Sequence, residues 1–246
     1  MAECTGGVRK LGSAATSGQT VAEALVNYFY NELVSDKAGT KACSLVRMFR
    51  TRAYSQLSAR QKSCADSSQA AQFCFPTTKC LTLEATAGDQ VEWNSVSSSR
   101  GHQAIPLPSE ELVRQMPMIS QLISDLGLRV SDVLEPPKDL FIGKSEEDYN
   151  IFLVPDAVGS AIISAQDEFV VPNKIRSVLG YGGMMTTGDM FAVILFSKLK
   201  IRRDTADMFR CIALATNLAV MRFDVEPMAN PIPPTLRLIK PREGSG

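Results

Sequence analysis

One histidine, six cysteines and a few runs of carboxylates are the side chains of this 246-residue chain best suited to chemistry. His102 is the first candidate for a haem or metal ligand, but a site with one imidazole needs cysteine or carboxylate partners that the sequence does not place beside it. It lies in the polar stretch 99–103 and reads as a plain loop histidine. Cys74 and Cys80 form neither a CxxC pair nor a zinc pair, and Cys64 lies upstream on a weakly periodic polar helix. All three read as packing or incidental thiols. Glu110 and Glu111, and likewise Glu146, Glu147 and Asp148, are adjacent carboxylates that suggest acid–base work or cation binding. Neighbouring side chains diverge on a helix or a strand, so a solvated face explains them better. Gly180-Tyr181-Gly182-Gly183 has the glycine content of a phosphate loop, yet it ends a strand and enters a hairpin, without the helix N-terminus that such a loop needs. Close backbone packing is the simpler reason for those glycines. No catalytic constellation emerges.

The elements that must position these residues are clearest in the last quarter. Residues 177–182 and 190–197 read as strands joined through Thr186-Thr187-Gly188-Asp189, which makes a hairpin. Phe191, Val193 and Leu195 alternate with Ala192, Ile194 and Phe196, so both faces of the second strand are apolar and it belongs in the middle of a sheet. A helix over 204–221 follows, capped by Asp204, with Met208, Cys211, Ile212, Ala215, Leu218 and Ala219 facing the core. Earlier, Thr20 and Glu23 have capping-box spacing and open a helix to about residue 34 that is apolar on more than one side. Residues 42–49 read as the first strand, in which Arg47 and Arg50 call for solvent or an acidic neighbour, and 78–85 as the second. Ser58 and Gln61 cap the short polar helix between them. Residues 89–148 read as an insertion, with a helical pair over 109–126 broken at Pro117 and stopped by Gly127; residues 149–154 resume as a strand. Residues 1–19 are expected as a flexible leader and 223–246 as a proline-rich linker or tail.

Composition bounds the function. Lys plus Arg and Asp plus Glu are equal at 26 each, so no overall field attracts nucleic acid or an anionic membrane. The apolar run 190–196 is far short of the roughly 20 residues that cross a bilayer, and no signal peptide is visible, so a cytoplasmic location is expected. The cysteines match no disulfide framework. No cofactor and no metal is assigned.

The order of these elements resembles a GAF domain, the small-molecule-sensing relative of the PAS fold in bacterial signalling proteins. Val154-Pro155-Asp156-Ala157 with Gly159, the strand entry 175–179 (Ile-Arg-Ser-Val-Leu) and the strand 191–197 carry the likeness over about residues 20–222. Residues 77–83 and 117–123 are similar to an N-terminal sensory region placed ahead of PAS and histidine-kinase modules. The resemblance implies an α+β fold: an antiparallel sheet of five or six strands, the first and last helices on one face, a largely helical insertion, and a ligand on the other face. It implies pocket residues Phe152, Asp156, Phe169, Ile175, Arg176 and Tyr181, with Trp93 and His102 from the insertion. The expected function is therefore a non-enzymatic input domain that binds a small molecule or a partner and signals through its terminal helices to a kinase or other output module. Surplus apolar residues on those helices, Phe209, Ala213 and Leu214 among them, suggest a homodimer seam. One GAF-fold family reduces free methionine sulfoxide with cysteines, which makes a thiol-dependent reductase the alternative.

Overall fold

The computed structural model describes residues 2–35, 39–68, 70–99, 101–137 and 149–223. Its centre is a six-stranded antiparallel sheet in the order β3-β2-β1-β6-β5-β4, built from β1 (Cys43–Ala53), β2 (Lys79–Gly88), β3 (Ala104–Leu107), β4 (Ile151–Val154), β5 (Ser177–Met184) and β6 (Met190–Ser197). β6 lies between β1 and β5, as its two apolar faces require: Phe191, Val193 and Leu195 enter one core, and Met190, Ala192, Ile194 and Phe196 the other. At the hairpin, Gly188 adopts φ 82° and Met185 N–H donates to the Asp189 carbonyl at 2.8 Å.

One face of the sheet carries α1 (Ala2–Ala14), α2 (Gly18–Glu32), α7 (Arg203–Asp207) and α8 (Arg210–Met221). Phe29 of α2, Tyr181 of β5 and Phe209 before α8 meet there, with ring centroids 6.0–6.3 Å apart. The opposite face is covered by α4 (Glu110–Arg114), α5 (Pro117–Asp125), α6 (Val130–Leu134) and the irregular segment 155–176, through Val113, Leu122, Ile123, Val133, Ile163 and Val170. A short α3 (Ala59–Asp66), capped by Ser58 with Gln61 as expected, closes the β2–β3 end.

Several expectations need correction. Residues 2–14, expected as part of a flexible leader, form α1, with Val8 fully buried. Two of its three glycines are sites of close approach: a Cβ on Gly12 would come within 2.6 Å of the Ala219 Cβ, and one on Gly7 within 2.5 Å of the Tyr28 hydroxyl. The capping box of α2 is Ser17 with Thr20, not Thr20 with Glu23, so the helix starts earlier. The final helix is two pieces broken at Met208 and Phe209, and Arg202 occupies the cap expected of Asp204, whose carboxylate instead accepts the Thr205 N–H at 2.7 Å. Within residues 89–148, read as largely helical, β3 forms the outer strand beside β2. Gly127 does stop the helix there, with φ 75°. The proline-rich tail, apart from Phe223, and the run Glu146, Glu147 and Asp148 lie outside the described residues.

Candidate functional site

Four of the eight expected pocket residues share one face. Trp93, Phe152, Phe169 and Ile175 all belong to the cluster under α4–α6, and Phe169 meets Trp93 and Phe196 edge-to-face at 5.8 and 4.9 Å. Phe152 and Ile175 are fully buried, and Phe152 lies so close to Gly180 that a Cβ there would meet its ring at 3.0 Å. The other four are elsewhere. Tyr181 points to the terminal-helix face, because it alternates along β5 with Gly180, which faces Phe152. Asp156 and Arg176 are exposed, with Asp156 paired to Lys200. His102 sits at φ 54° on the loop after β2, its outer surface in solvent.

Two cavities of about 170 and 180 Å³ open on the terminal-helix face. The first lies between the start of α2 and the sheet, beside Arg50, Arg52 and Glu84. Its charges are paired: Arg52 forms a fork with Glu84 at 2.8 and 2.9 Å, while Arg50 and Lys79 share Asp189 at 2.9 Å each. A bulge in β2 aims Glu84, since Met48 pairs with Ala85 and Phe49 with Leu83, leaving Glu84 as the extra residue. The second cavity, between α8 and the end of β5, is mostly apolar, and its Asn217 amide donates to Tyr149 Oη at 2.5 Å.

The loop-covered side of β1 carries a different charge arrangement. Arg47 is only 8% exposed, and its register partner Thr86 is 5% exposed. Arg47 Nη2 donates to Ser99 Oγ at 2.9 Å, and Gln103 holds Ser99 by donating to its carbonyl at 2.6 Å. Among the described residues no carboxylate pairs with Arg47, and its Nε, like the Thr86 hydroxyl, has no hydrogen-bond partner. Burial pushes the Arg47 pKa down to about 10, so it remains a cation at neutral pH. Desolvation on the packed side of His102, and then the charge of Arg47, hold the imidazole below its usual pKa.

Cys74 and Cys80 are held in the thiol form. Burial, then Cys74 and Asp66, push Cys80 up to about 12, and burial followed by Asp66 raises Cys74. Among the described residues no group of three His, Cys, Asp or Glu side chains could hold a metal ion. No described helix is long and apolar enough to cross a membrane.

What the sequence missed is the parity of β1. Arg47 falls on the side of Leu45 and Phe49, and Arg50 and Arg52 on the side of Val46 and Met48. Both sides are apolar, so every arginine here is drawn toward a core and needs a partner. Asp189, which reads in sequence only as a turn residue, pairs with the buried Arg50 and the half-buried Lys79. Comparison with models of known protein families and with curated proteins finds no match for this chain.

Proposed function

We propose that this chain is a GAF-like sensory or regulatory domain that binds a small molecule or a partner and passes the change on through its terminal helices. The observation that carries this reading is the placement of α2 and α8 in one apolar cluster on one side of an antiparallel sheet, with the residues first suspected of binding mostly on or beyond the other side. A ligand acts only by binding two arrangements unequally, and a helix layer seated on a sheet through the Phe29, Tyr181 and Phe209 rings is an element that can shift as a unit.

The module acts in the cytoplasm, without catalysis, ahead of a kinase or another output unit, and it works as a homodimer. The dimer contact differs from a bare α2–α8 seam, because α1 covers part of that surface: Thr5 lies 3.4 Å from Cys211, and Arg222 donates to the Gly12 carbonyl at 2.7 Å. Met208 and Leu218 remain exposed for it, at 46% and 55%. Native mass spectrometry of the purified protein tests ligand and subunit count together, and hydrogen exchange tests the coupling. We expect a bound small molecule, a dimer, and altered amide exchange in α2 and α8 on ligand removal. A ligand that leaves α2 and α8 exchange unchanged would refute the sensory reading.

A further inference from the structure

Arg47 presents an unresolved electrostatic problem. Taking a cation out of water is strongly unfavourable unless a counter-charge and hydrogen bonds replace the lost hydration. The described residues give Arg47 one neutral hydroxyl, that of Ser99, and leave its Nε without an acceptor. Beside it on β2 the Thr86 hydroxyl is also buried and unpartnered, so two donors stand together on one side of the sheet. The covering loop is lightly held. Of residues 95–99 only Ser99 is buried, while Ser95, Ser97 and Ser98 are exposed and bond mainly to one another and to nearby backbone.

We propose that Arg47 and Thr86 form the binding site for a small oxyanion, a carboxylate or phosphate group of the ligand, which takes the place of the Ser99 hydroxyl on the guanidinium. A guanidinium edge offers parallel N–H donors that match two oxygens of either group, so an anion brings a counter-charge and a second bond where the Ser99 hydroxyl gives one uncharged acceptor. The Thr86 hydroxyl supplies a further donor. His102, at the rim of the same loop, is a second polar group that an entering anion meets. The inference rests on the sensory reading in that it names the chemistry of the ligand, and it puts that ligand on the face opposite α2 and α8.

Isothermal titration calorimetry of the full chain in a low-salt zwitterionic buffer tests it, with inorganic phosphate and acetate as separate arms and sodium chloride at matched ionic strength as the control. We expect saturable binding in the phosphate or the acetate arm at millimolar concentration or below, the stronger arm identifying the group. Arg47→Met should weaken it by about tenfold or more, the equivalent of about 1.4 kcal/mol. Thr86→Val, nearly the same in shape, should weaken it less while leaving the fold intact, which keeps the test informative if the arginine variant does not fold. No saturable heat in either arm, or equal binding by wild type and both variants, overturns the site. Hydrogen exchange separates the two claims: anion binding without a response in α2 and α8 leaves the site standing and removes the sensory reading, whereas a different ligand that moves those helices does the reverse.

Discussion

Arg47 and Arg50 stand three residues apart on β1, each opposite a threonine of β2, and they live in opposite electrostatic conditions. Arg50 faces the terminal-helix side, where Asp189 from the hairpin pairs with it and with Lys79, and its register partner Thr82 donates to the Arg50 carbonyl at 2.7 Å. Arg47 faces the loop-covered side, where its partner Thr86 bonds nothing and the loop contributes a serine. The strand is the same and the burial is nearly the same, so the difference comes from what the covering turn supplies. A turn that brings a carboxylate makes the arginine a structural clamp. A turn that brings only a hydroxyl leaves a cation whose charge is available to something that arrives later.

That contrast is testable, and the largest effect is expected at Asp189. Asp189→Ala strips the counterion from two cations that are 9% and 18% exposed in their side chains, and should destabilise the protein by about 3 kcal/mol in urea unfolding. A loss under about 1 kcal/mol would mean that the pair is screened like a surface one. The arginines themselves come next. Arg50→Met should lower stability by about 2 kcal/mol, whereas Arg47→Met in a buffer free of oxyanions should leave it unchanged or raise it by about 1 kcal/mol, since an uncompensated buried charge is replaced by a methionine. Equal losses at the two positions would erase the distinction. The threonines should repeat the pattern on a smaller scale: Thr82→Val costs about 1 kcal/mol through its lost bond to the Arg50 carbonyl, and Thr86→Val costs less than about 0.5 kcal/mol because no bond is lost.

The smallest effect concerns His102. Its folded pKa is below the unfolded value of 6.5, so between the two values the unfolded chain binds more protons. The contribution to stability is therefore intact above about 6.5 and declines as pH falls toward the lowered value. A proton NMR titration reads this directly, since the chain has a single histidine. Arg47→Met should move the titration midpoint upward, and a midpoint unaffected by that substitution would separate His102 from the Arg47 site.

Much of the sheet was legible because its signals are local. The alternation in β6, the polar hairpin with Gly188, and the Ser58–Gln61 cap are set within a few residues, and each element formed where its pattern placed it. Five of the six strands were read from such patterns, and the α+β class holds. What was not legible depends on distant partners. Three glycines in α1 lower its intrinsic helix propensity by about 1 kcal/mol each relative to alanine, so taken alone the segment looks unstructured. The helix docks against Ala219 and Tyr28, and at Gly12 and Gly7 the missing Cβ atoms that weaken it are what let it do so. β3 is only four residues long and contains Pro106, so no strand pattern announces it; the β2 edge recruits it. The candidate site was hidden for a related reason. The residues singled out, from Phe152 and Arg176 to Trp93 and His102, were placed by family likeness, whereas the unmatched charge arises from strand parity and from a loop in which residues 95–99 carry no carboxylate.

The composition of β6 has a consequence for handling the protein. Met190–Ser197 has eight residues with no charge, glycine or proline, and every one is buried. It is harmless while β1 and β5 occupy its two edges. Once heat releases those edges, the same stretch has the character of a self-associating cross-β segment, and chains will aggregate faster than they refold. Apparent melting temperatures should therefore drift with heating rate.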